Sequence, residues 1–159
     1  MALVSEWVLL AYRLPREPST PRITIWRKLR RLGVVQLVDG LVALPSSGKN
    51  REQFDWLADE ILEAGGEAWT WTATPGSKDQ QRALVARLDD AAAEDYRALL
   101  EEAEQVLAEG APDRRTVERL RRALQRIEAR DHFAAKDRTR AARAVERLSA
   151  ALAAEDAAR

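Results

Sequence analysis

The β signal in this chain stops at residue 73. Before that point short β-branched and aromatic runs alternate with helical segments, whereas from Thr74-Pro75-Gly76 onward the sequence turns to Ala, Arg, Glu and Leu with no further strand pattern. A sheet must then be built by the first half alone and a set of helices by the second. This predicts an α+β fold, with an α+β domain over 1–75 and a helical extension over 76–159. At 159 residues the chain is long enough to bury a real core.

Within the first half, "WVLLAY" at 7–12 is apolar on both alternating faces, as a central strand covered on both sides requires. After a Pro-rich turn, "TPRITIWRKLRRLG" reads as a helix, with Thr20 as its cap, Pro21 at its first position and Gly33 just past its end. The β-branched "RITI" leaves a strand start as the alternative. "VVQLVDGLVAL" places two β-rich runs around Asp39-Gly40, a tight-hairpin signal, and Pro45 closes it. Asn50 and Gln53 form a capping pair for a second helix, whose Phe54, Leu57, Ala58, Ile61 and Leu62 share a face before Gly65-Gly66 ends it. "EAWTWTA" then alternates Trp69 and Trp71 with threonines, the pattern of a half-buried strand. The resulting order is βαββαβ, that of the ferredoxin-like fold. A winged-helix-like arrangement, the alternative, needs more helix before its hairpin.

In the second half, Ser77 and Gln80 make a capping box that opens a helix running to about Gly110. A further helix carries Val117, Leu120, Leu124 and Ile127, and a last one Ala141, Val145, Leu148 and Leu152. Each stripe needs a partner: the other stripes, the open sheet face, or a second subunit. The last option, with the open strand edges, predicts a homodimer.

Charge sharpens the functional question. The total is zero, with 26 bases and 26 acids, so any anion site is local. On the 20–33 helix Arg27, Lys28, Arg30 and Arg31 lie adjacent with no acid among them, while Ile25, Trp26, Leu29 and Leu32 form the apolar side that fixes the helix to the sheet. Segment 49–67 carries six acids against two bases, and 113–147 twelve bases against six acids. The Arg-rich tail reads first as a solvated face with i,i+4 pairs. With no cysteine, thiolate chemistry, disulfides and zinc-finger sites are excluded. The single histidine, His132, reads as a helix-end or surface residue. No apolar run approaches the roughly 20 residues that span a bilayer, and no signal-peptide pattern opens the chain. A soluble, cytoplasmic, non-membrane protein is expected.

The stretch "WVLLAYRLPREPSTPRITIWRKLRRLGVVQLVDGLVALP" resembles the N-terminal domain of the ChrB chromate-resistance regulators. The likeness extends through "FDWLADEILEAGGEAWTW" and, more loosely, through the tail, where "IEARDHF" is similar to an Arg-Asp-aromatic turn of that family. It implies a repressor of a chromate-efflux operon that releases DNA when chromate is present. The family's usual second domain, C-terminal to this one, is expected to be missing here. More distantly, the strand-helix-hairpin block is similar to the middle domain of PaaX-type repressors and to ferredoxin-like CRISPR endoribonucleases, which dimerise through their sheets. In those nucleases an Asp follows the Tyr that ends the first strand; here Arg13 follows Tyr12, and a cation cannot ligate a metal.

The expected function is therefore a DNA-binding transcriptional regulator, with Arg22, Arg27, Lys28, Arg30 and Arg31 on phosphates and Lys49 and Arg51 adding the start of the second helix. The alternative is a non-catalytic protein-protein or dimerisation module. No catalytic residue, metal or cofactor is expected, since no carboxylate pair has acid-base or ligand spacing and "SSGK" at 46–49 lacks a Walker A frame. That loop could still hold an oxyanion such as chromate or phosphate. Trp69 and Trp71 read as core, with a stacking platform for single strands as the other possibility.

Overall fold

The computed structural model describes residues 5–110 and 112–159. They divide into two compact units, one up to Leu88 and one from Asp89 on. The elements run in the order β1 (Trp7–Arg13), α1 (Thr20–Leu32), β2 (Val35–Val38), β3 (Leu41–Pro45), α2 (Gly48–Glu63), β4 (Glu67–Ala73), α3 (Lys78–Glu109), α4 (Arg114–Arg130) and α5 (Arg138–Ala157). The chain is α+β, and one helix, not several, precedes the hairpin, so the winged-helix alternative is not its architecture.

In the first unit the four strands form one antiparallel sheet in the order β2-β3-β1-β4. β1 is central, with Leu9 opposite both Ala43 of β3 and Trp71 of β4. Its alternate residues Val8 and Leu10 join Val42, Leu44, Ile25, Leu29, Phe54, Leu57 and Ile61 in one buried cluster under α1 and α2. The apolar-both-sides pattern of β1 has its cause here, because Trp7 on the opposite face is also buried. Segment "RITI" is helical throughout, so its strand alternative does not occur.

Two turns hold the sheet tight. Gly40 has φ +75°, and a Cβ there would lie 2.6 Å from the carbonyl oxygen of Tyr12, whose own N–H donates to the Gly40 carbonyl at 2.8 Å. At Gly66 a Cβ would lie 2.3 Å from the Arg13 carbonyl oxygen and 2.9 Å from Ile61 Cγ2. Glycine is required at Gly66 by space rather than by φ.

The caps depart from expectation by a few residues. Ser19, not Thr20, precedes α1, without a side-chain cap, and Gly33 closes the helix in the left-handed region at φ 72°. Ser47, not Asn50, caps α2: its Oγ accepts from the Asn50 N–H at 3.0 Å, while the Asn50 side chain donates to the Pro45 carbonyl at 2.8 Å. A hydroxyl in extended backbone reaches the third N–H of a helix, which Asn50, already inside the helix, cannot do. Ser77 and Gln80 behave as expected, with Ser77 Oγ accepting from the Gln80 N–H and Gln80 Oε1 from the Gly76 N–H, both at 3.1 Å.

The second unit is helical. Val117, Leu120, Leu124 and Ile127 of α4 and Ala141, Val145 and Leu148 of α5 pack together with Tyr96, Leu99, Leu100 and Ala103 of α3. Of the three partners open to these stripes, the chain uses its own helices. The seams are thus spent internally and give no support to a dimer.

Candidate nucleic-acid interface

Helix α1 is fixed by Ile25 and Leu29, which are buried. Trp26 does not share that role: it is 40% exposed. One residue beyond Ile25 is about 100° around the helix, which carries the indole to the flank of the apolar side. Trp26 sits one turn after Arg22 and one turn before Arg30, both exposed. The outward face of α1 is therefore arginines interleaved with an indole. Ile23, also exposed, adds to it.

The seven predicted cations divide into four groups. Arg27, Arg30 and Arg31 are exposed and have no ion-pair partner among the described residues. Arg30 and Arg31 occupy the last turn of α1, where the helix carbonyls favour positive charge. Lys28 is different, because it forms an ion pair with Glu60 of α2 and so faces the neighbouring helix. Arg22 lies at the opposite end of the helix. Burial, with the nearby Asp39, pushes the Tyr12 hydroxyl above its ordinary pKa, and the charge of Arg22 opposes that rise without cancelling it.

Lys49 and Arg51 are exposed on the first turn of α2. Helix α1 leads into the start of β2, opposite the end of β3, and α2 begins where β3 ends. The C-terminus of α1 and the N-terminus of α2 thus share one end of the sheet. Between the two helices lies a groove of about 230 Å³ lined by Lys28, Arg31, Gln53, Trp56, Leu57 and Glu60. Of the six acids in and around α2, Glu60 alone forms an ion pair with α1.

Four tryptophans are exposed: Trp69 (66%), Trp71 (58%), Trp56 (56%) and Trp26. The core reading of Trp69 and Trp71 is overturned. They lie on edge strand β4, on the face away from α1 and α2, whereas Ala68 faces the helices and is partly covered by them. Leu62 is likewise exposed (54%), one position off the buried row of Phe54, Leu57 and Ile61. Trp56 was missed because its position falls on the polar side of α2; an indole there, unlike a Lys or Glu, was the available signal.

The tail arginines are mostly committed. Arg114 pairs with Asp156 at 2.6 Å, Arg121 with Glu118 at 3.1 Å, Arg130 with Asp95 at 2.9 Å and Arg138 with Glu128 at 3.3 Å, and Arg119 also pairs with Glu102. Arg115, Arg122 and Arg126 remain along the outer face of α4. The "IEARDHF" turn is built around Asp131, which accepts from the Tyr96 hydroxyl at 2.8 Å and the Ala135 N–H at 2.9 Å. That arrangement joins α3 to the end of α4, and burial, then the Asp131 acceptor, pushes the Tyr96 pKa strongly up. His132 follows in the same turn and meets Phe133 edge to face. At the end of β1, Arg13 pairs with Glu67 across the strand pair at 3.0 Å. Among the described residues no group of three or more His, Asp or Glu could hold a metal ion, and no helix is long and apolar enough to cross a membrane.

Residues 22–157 match the family model described as Protein ChrB, N-terminal. The chain belongs to this ChrB N-terminal family. The match begins within α1 and ends with α5, so it takes in both units and the Asp131 turn. The chain is also similar to Protein ChrB of Cupriavidus metallidurans, 32% identical over 90 residues that make up 57% of this chain and 28% of that relative. The aligned part thus spans under a third of the ChrB relative's length. No solved structure matches the chain.

Proposed function

We propose that this chain is the DNA-contacting part of a chromate-resistance transcriptional regulator, in which a ferredoxin-like sheet unit presents α1 to the phosphate backbone of duplex DNA. One observation carries the reading: Arg27, Arg30 and Arg31 stand side by side on a helix locked by Ile25 and Leu29, and no carboxylate among the described residues neutralises them. Seven tail arginines have such partners, and Arg115, Arg122 and Arg126 of α4 do not. Adjacent like charges repel by a few tenths of a kcal/mol per pair, and a polyanion removes that cost. Trp26, between Arg22 and Arg30, supplies an apolar contact beside the phosphates. Duplex binding measured across a salt series tests the reading, because counterion release gives a slope of about −0.9 per phosphate contacted. A flat dependence would remove it.

A second reading, self-association, has its own support. Strand β4 is an edge strand of seven residues, EAWTWTA, without proline, and both its indoles are exposed. An open edge with large apolar side chains is a pairing template. We therefore place the proposed homodimer contact at β4 rather than on the tail helices.

A further inference from the structure

The sheet has a second face, and it is not sealed. Val8 and Leu10 point to α1 and α2, so Trp7 and Leu9 point the other way. The first turns of α3, which belong to the same compact unit, lie over this face and border a half-open cavity of about 380 Å³. That volume falls at the lower end of the range for small-ligand sites, roughly 300–1,000 Å³. Its walls are mainly apolar, from Trp7, Leu9, Ala43 and Leu84.

The polar groups at the cavity are one-sided. Among the described residues Arg87 is the only charged one lining it. Its guanidinium donates to the Gln36 carbonyl at 2.6 Å, which fixes the side chain and uses that acceptor while leaving further N–H donors. Gln80 has its Oε1 occupied by the Gly76 N–H, so its amide offers the NH₂ end. Trp7 is 1% exposed and its Nε1–H is buried without an acceptor. Donors are in surplus, no carboxylate among the described residues lines the space, and apart from the Thr74 hydroxyl the remaining side chains are hydrocarbon. A small hydrated dianion would meet too much apolar wall here.

We propose that this cavity binds a small apolar carboxylic acid. Its carboxylate is held by Arg87 and the Gln80 amide, and its hydrocarbon body lies against Trp7, Leu9 and Leu84. Charge-assisted bonds to a guanidinium give orientation, and the apolar wall gives the bulk of the affinity.

The test uses 2-naphthoate as the probe on the full chain, with its neutral amide as comparison, followed through the indole N–H resonances of the tryptophans. The resonance lost in Trp7→Phe identifies Trp7. The expected result is saturable binding below about 1 mM that moves the Trp7 resonance, weakened about tenfold both in Arg87→Gln and on replacing the acid by the amide. Ala83→Leu, an exposed position on the cavity wall, should abolish binding with the circular dichroism unchanged. The proposal is overturned by absence of saturation, by equal binding of acid and amide, by an Arg87→Gln affinity equal to that of the unaltered chain, or by shifts confined to the indoles of Trp26, Trp56, Trp69 and Trp71.

Discussion

Lys28 of α1 and Glu60 of α2, 32 positions apart in the sequence, form an ion pair that draws one cation out of the basic row on α1. Both side chains are partly exposed, so the pair contributes at most about 1 kcal/mol to stability. Glu60→Gln should therefore leave the melting temperature nearly unchanged. It should also free Lys28 for a phosphate, tightening duplex binding and steepening its salt slope by up to about one unit. Lys28→Ala in the unaltered background should have little effect on affinity, and a large loss there would show that Lys28 contacts DNA while paired.

Arg27 and Arg31 should behave in the opposite way. Replacing both with Glu should preserve folding, since exposed substitutions usually cost within about 0.5 kcal/mol each. Duplex affinity should fall by orders of magnitude, and replacement with Ala should lower the salt slope by roughly one unit per lost contact. Arg119 and Arg126 on α4 serve as the comparison, with little effect expected; Arg119 is held by Glu102. Unchanged affinity and slope in the α1 variants would leave the helix as a solvated face.

Trp69→Thr with Trp71→Thr should separate association from folding. Both indoles are more than half exposed, so threonine, itself favoured in strands, should cost little stability in the isolated chain. Light scattering should report a dimer for the unaltered protein and a monomer for the double variant. A monomer in both cases would remove β4 as an interface.

Asp89→Asn should stabilise the protein. Asp89 Oδ1 is buried without a partner, and desolvation, then the nearby Asp131 and Asp90, raise the carboxyl above its usual pKa. For an acid raised in the folded state, stability is highest while the group is protonated and falls as pH rises through the folded value. The variant should gain on the order of 1 kcal/mol at neutral pH, with the difference vanishing in acid. Thermal melts from pH 3 to pH 8, a range wide enough to protonate and ionise an ordinary carboxyl, check this. A difference that did not change with pH would refute the assignment.

The sequence by itself determined the features whose causes lie within a few residues. Gly33 and Gly40 take backbone angles open to glycine, Asp39-Gly40 turns the hairpin, Ser77 and Gln80 start α3, and the 3.6-residue stripes of α4 and α5 name their buried residues in advance. Short-range steric and hydrogen-bonding rules suffice for these. Tertiary structure decided which apolar residues found cover. Trp69 and Trp71 follow the strand pattern well, yet β4 lies at the edge and α1 and α2 cover only its other face, so both indoles meet solvent. Trp26 lost its place in the core because the packed side of α1 is narrower than its apolar side. The fate of the charges was settled the same way. Six acids in and around α2 are equivalent in sequence, but helix geometry brings Glu60 alone to Lys28 and leaves Arg27, Arg30 and Arg31 facing outward. An ion pair needs both ends within a few ångströms, and for residues far apart in the chain only the fold sets that distance.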